Sequence, residues 1–89
     1  MLSTDEYFSK PINRKSVPSL TSDQVEDFLL CHGWIYKRTT GSHVHYESRD
    51  GDRRVSIPRH NNRCVSIGTL RSIIKESGIP EEKWRNFRY

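Results

Sequence analysis

The sequence predicts an α+β fold: a helix, a three-stranded antiparallel sheet, a second helix and a short third one. Three observations predict it. Apolar residues recur at helical spacing in two separate stretches, Val25-Phe28-Leu29 and Ile67-Leu70-Ile74. Between them the pattern changes to the two-residue alternation of half-buried strands, in Val44-Tyr46 and Val55-Ile57. Turn residues, Thr39-Thr40-Gly41-Ser42 and Asp50-Gly51, divide that middle region.

Residues 1–19 read as a flexible or loosely packed arm. Serines and charges alternate there with Pro11 and Pro18, and no apolar period appears. Tyr7, Phe8 and Val17 are its residues able to dock on the domain or on a partner. The first helix begins at Thr21 or Ser22, because Thr21-x-x-Gln24 fits a capping box. Asp23 and Glu26 suit its positive end, and Gly33 stops it. Trp34–Arg38 is the first strand and His43–Glu47 the second. The third is Arg53–Ile57, ended by Pro58. One face of this meander is apolar; the other is wet and carries His43, His45 and Arg54. Residues 58–65 form a basic loop. The second helix starts near Ser66 and stops at Gly78. Pro80 opens the third helix as its first residue, followed by Glu81 and Glu82, with Trp84 and Phe87 to bury.

Eighty-nine residues allow one domain, taken as residues 20–89, with a small core. The longest apolar run, Phe28-Leu29-Leu30-Cys31, is too short for a membrane helix. Asp5 and Glu6 stand where a signal peptide needs a basic start. Two cysteines, Cys31 and Cys64, make no disulfide framework and read as reduced thiols of a cytoplasmic protein. The net charge is +4 and it is unevenly placed. Residues 20–36 hold three acids and no Lys or Arg. Residues 37–75 hold nine Lys and Arg against three acids, together with three of the four histidines. Such a field attracts polyanions, nucleic acid above all.

Helix, three strands, helix is the layout of a double-stranded-RNA-binding-like domain. Particular residues narrow it. His32-Gly33-Trp34, Gly41-Ser42-His43, Asp50-Gly51, Ile57-Pro58-Arg59-His60 and the run from Gly68 to Ile79 occur in order across residues 21–79. In this the sequence resembles the HicA family of toxin ribonucleases from bacterial toxin–antitoxin pairs. Two features depart from the family pattern. The arm has no counterpart in short members, and Val44 follows the signature histidine where many members have a polar residue. The resemblance implies an endoribonuclease that cleaves messenger RNA, acts without a metal or cofactor, and is neutralised by a HicB-like antitoxin.

The residues fit that chemistry. If a ribose 2′-hydroxyl attacks the adjacent phosphorus, one group must take its proton and another must protonate the leaving 5′ oxygen. Histidine as a residue type serves either role near neutral pH, and Arg or Lys stabilises the phosphorane. His43 is the expected catalyst. Gly41 lets backbone approach a phosphate, and Ser42 offers it a hydrogen bond. His60 and His45 are further candidates for the site. RNA binding is expected from Lys37, Arg38, Arg54, Arg59, Arg63 and Arg71. His32, at a helix C-terminus, needs no functional role. Three other readings remain open: an RNA-binding module without catalysis, a basic face that docks an acidic protein, and a zinc site. The last would use His43-x-His45 and His60-x₃-Cys64, ligands zinc accepts at a spacing that matches no common zinc module.

Overall fold

Thr21 fixes the start of the first helix, α1 (Ser22–Cys31). Its hydroxyl accepts from the Gln24 backbone N–H at 3.2 Å, and the Gln24 side chain accepts from the Thr21 N–H at 2.9 Å. The capping box expected from the sequence is therefore complete. Gly33, at φ +85°, turns the chain out of α1 into the sheet. The computed structural model describes residues 17–59 and 63–89. Most of the expected arm, with Tyr7 and Phe8, and also His60 lie outside the described residues. Val17, expected within the arm, is buried in the core beside Leu20.

The sheet has the order β1-β2-β3, with β1 Ile35–Thr40, β2 His43–Glu47 and β3 Arg54–Pro58, all antiparallel. β1 differs from expectation. It starts one residue later and continues through Thr39 and Thr40, which pair with Val44 and His43. The β-branched threonines favour extended backbone, and Gly41, at φ +58°, closes the turn tightly enough for them to stay in the ladder. A bulge at Lys37 interrupts the register between Tyr36 and Arg38. Pro58 is the last residue of β3 rather than the first beyond it. An edge strand tolerates proline there, and the next residue continues the contact, Arg59 N–H donating to the Ser42 carbonyl at 2.7 Å.

The β2–β3 loop is held by Asp50. Its carboxylate accepts from the Asp52 N–H at 2.9 Å and from the Ser48 hydroxyl at 2.7 Å. These bonds, the Asp52 one foremost, hold the carboxyl below its ordinary titration range.

Val44, Tyr46, Val55 and Ile57 all point to the covered face and are buried. Against them pack α1, through Val25, Phe28 and Leu29, and α2 (Ile67–Ser77), through Leu70, Ile73 and Ile74. Ile67, expected in that stripe, is half exposed. A helical side chain leans over the preceding turn, and as the first helical residue Ile67 has no such turn beneath it. Gly78, at φ +72°, ends α2. A Cβ there would come within 2.7 Å of the Arg53 guanidinium carbon, so the glycine also admits Arg53. In α3 (Glu81–Asn86) Pro80 is the N-cap rather than the first helical residue. Trp84 is wholly buried, its ring stacked 3.7 Å from that of Phe28.

Candidate active site at the open face of the sheet

His43 opens β2 on the face of the sheet turned away from the core, at the edge that α2 flanks. It stands opposite Thr40 on one side and Pro58 on the other. Its side chain is exposed, and among the described residues no hydrogen bond holds its ring. The turn before it is open as well: nothing lies within 4 Å of where a Gly41 Cβ would sit. Gly41 is thus needed for its backbone angle, and it leaves room for a ligand beside the Ser42 and His43 backbone.

The turn is pinned from behind. Arg59 N–H donates to the Ser42 carbonyl, and the Ser22 hydroxyl donates to the Pro58 carbonyl at 2.6 Å. The Arg59 guanidinium reaches Glu26 at 2.6 Å and Asp23 at 2.8 Å, both on α1. The second oxygen of Glu26 accepts from the Tyr46 hydroxyl at 2.8 Å. Burial first, and then this bond to a carboxylate, push the Tyr46 phenol far above its usual range. Tyr46 therefore stays a proton donor within a fixed network. Arg59 was expected to contact RNA. The structure gives it two carboxylate partners on α1, which makes it a clamp between that helix and the His43 turn.

Ser42, His43, Ser56 and Pro58 form one wall of an open recess of about 410 Å³, and Thr69, Ser72, Ile73 and Glu76 of α2 form the other. A second recess, about 320 Å³, adjoins it along the sheet and is lined by Lys37, Arg38, His45, Glu47 and Arg54. Ser56 and Glu76 border both. Within the second recess His45 Nδ1 and Ser56 Oγ lie 2.8 Å apart across the strands. Glu47 accepts from Arg54 at 3.2 Å and lies 3.7 Å from Lys37 Nζ. Such exposed pairs are weak, and Arg54 remains 81% exposed. Two carboxylates, Glu47 and Glu76, thus face three cations there, counting Arg38, and an anion still finds a small net positive charge.

The structure therefore brings together His43, Ser42 and Gly41, and next to them His45, Lys37, Arg38 and Arg54. It does not bring in Arg71. That residue is exposed on α2 but is not among the four α2 residues facing His43. Arg63 is exposed next to residues that are not described. Ser56 and Glu76 were missed by the sequence reading. For Glu76 a signal existed, since Thr69, Ser72 and Glu76 repeat at helical spacing beside the apolar stripe. Cys31 and Cys64 are free and exposed. Among the described residues no three His, Cys, Asp or Glu side chains are grouped as metal ligands, and no helix is long and apolar enough to cross a membrane.

An α+β domain of the double-stranded-RNA-binding type, with an exposed histidine beside a cationic recess, is the class that this fold and site define. Residues 22–79 match the family described as the HicA toxin of bacterial toxin–antitoxin. That span runs from the first residue of α1 to just beyond α2 and covers well over half of the chain. The chain belongs to the HicA toxin family. A comparison with curated proteins finds no match.

Proposed function

We propose that this HicA toxin is an endoribonuclease that cleaves messenger RNA in the cytoplasm, with His43 as its acid–base residue. The observation that carries this reading is the placement of His43. It is exposed, at the mouth of an open recess, next to the surface that holds Lys37, Arg38 and Arg54. These three cations bind the phosphates flanking the cleaved bond. The Gly41-Ser42 turn lets the scissile phosphate approach the backbone, and His45, fixed by Ser56, assists in binding it. Arg59 positions the His43 turn. The 2′-hydroxyl is the nucleophile, so the reaction needs no metal-bound water. A domain of this fold engages phosphates and 2′-hydroxyls more readily than base edges.

A HicB-like antitoxin is the proposed inhibitor. It covers the open face of the sheet, hides His43, and is drawn to the basic recess by an acidic surface of its own. Induced expression tests both parts. Wild type should arrest growth with transcript breakdown, His43→Ala should do neither, and co-expression of a small antitoxin from the neighbouring reading frame should restore growth. Equal toxicity of wild type and His43→Ala would show that binding, not cleavage, does the harm.

A further inference from the structure

The proposed reaction needs two proton transfers at one phosphate, and His43 supplies one group. Resting on that reading, we infer that Glu76 is a second catalytic residue. It is the base that takes the 2′ proton, while His43 gives a proton to the departing 5′ oxygen.

Among the described residues, Glu76 is the one carboxylate lining the recess that His43 opens. It also borders the cationic recess, so it stands where a bound strand passes from one to the other. The other acids near the sheet have partners: Glu47 has Lys37 and Arg54, while Glu26 and Asp23 have Arg59. Among the described residues Glu76 has no ion pair. An uncompensated carboxylate repels a phosphate chain, and this one sits beside the surface built to attract it. A base for the 2′-hydroxyl accounts for that position. The backbone that carries this exposed side chain is well supported. Glu76 lies in the last turn of α2, a helix anchored by Leu70, Ile73 and Ile74, and its carbonyl accepts from Arg53 at 3.2 Å. The charged and titratable groups around it are His43, His45 and Glu47 from β2, Lys37 and Arg38 from β1, Arg54 from β3, and Arg53 just before β3, whose guanidinium meets the Glu76 backbone.

Carboxylates as a class are ionised at neutral pH, which suits accepting a proton rather than giving one. The 2′ oxygen attacks phosphorus as its proton passes to Glu76. The 2′-O–P bond forms and the P–5′-O bond breaks. The 5′ oxygen leaves with the proton of the His43 imidazolium. The products are a 2′,3′-cyclic phosphate and a 5′-hydroxyl, and both side chains reset by proton exchange with water.

The test uses the full chain and a deoxyoligonucleotide with a single ribonucleotide, so that only one bond can be cut. A second substrate carries sulfur in place of the 5′ oxygen at that bond, and sulfur leaves without being protonated. Glu76→Gln should lower kcat by roughly 10²–10⁴-fold on both substrates. KM should stay within about threefold, the pattern of a group used in the transition state. The acid limb of the kcat profile should flatten, and Glu76→Asp, which keeps the carboxylate, should retain it. His43→Ala should recover on the sulfur substrate. The inference is overturned if Glu76→Gln cleaves like wild type, changes KM alone, or recovers on sulfur. If wild type leaves the RNA whole, the nuclease reading falls and the role of Glu76 with it; if His43→Ala cleaves like wild type, it is the acid role of His43 that falls.

Discussion

Replacing His43 with alanine is expected to slow RNA cleavage by roughly 10²–10⁴-fold, the contribution of one well-placed proton-transfer group. Affinity for RNA should hardly change. The phosphate contacts are proposed for three cations in the adjoining recess, and none of their ion pairs involves His43. Stability should hold as well, because the ring is exposed and bound to nothing among the described residues. Single-turnover rates, with RNA binding measured at two salt concentrations, check all three points. The rate falls, while the salt slope set by phosphate contacts stays. Were affinity to drop in step with rate, His43 would be a binding residue.

Phe28→Ala is expected to be the most damaging single truncation for the fold. Phe28 is fully buried, and its ring meets Trp84 at 3.7 Å, His32 at 4.1 Å and Phe87 at 5.1 Å. It joins α1 to α3 and to the C-terminal segment. Losing a buried phenyl ring costs about 3–5 kcal/mol, a large share of the roughly 5–15 kcal/mol that a domain possesses. At this size each kcal/mol moves the melting midpoint by about 4–8 °C. Leu30→Ala is the contrasting case. Leu30, two residues along the same helix, is 50% exposed, and its loss should stay within about 0.5 kcal/mol. Thermal melts of the two variants decide the matter; similar midpoints would contradict this account of the core.

Much of this was readable from the chain because local chemistry dictates it. Thr21 and Gln24 mark the helix start by their spacing, Gly78 marks an end, and the alternation Val44-Tyr46 with Val55-Ile57 assigns the buried face. Errors arose where tertiary contacts overrule a local rule. Thr39 and Thr40 resembled turn residues, yet they find partners in Val44 and His43. Ile67 fits the apolar stripe but projects past the helix end. For Arg59, read as a cation for RNA, the ion pairs that hold it were not legible. Its carboxylate partners, Asp23 and Glu26, lie more than thirty residues away in sequence, and only folding brings them to it. The same limit hid Glu76. Its nearness to His43 exists only because α2 packs beside β3, and the α2 residues Thr69 and Ser72 then complete the wall. The proposed catalyst, His43, was named from the Gly41-Ser42-His43 signature, and the structure adds its exposure and its recess.

The chemistry leaves a signature on its products. Purified full-length protein should cleave RNA in the presence of EDTA, leaving 2′,3′-cyclic phosphate and 5′-hydroxyl ends, and His43→Ala should leave the RNA whole. Ends bearing a 3′-hydroxyl and a 5′-phosphate, or cleavage that stops when EDTA is added, would contradict attack by the ribose hydroxyl and the role assigned to His43.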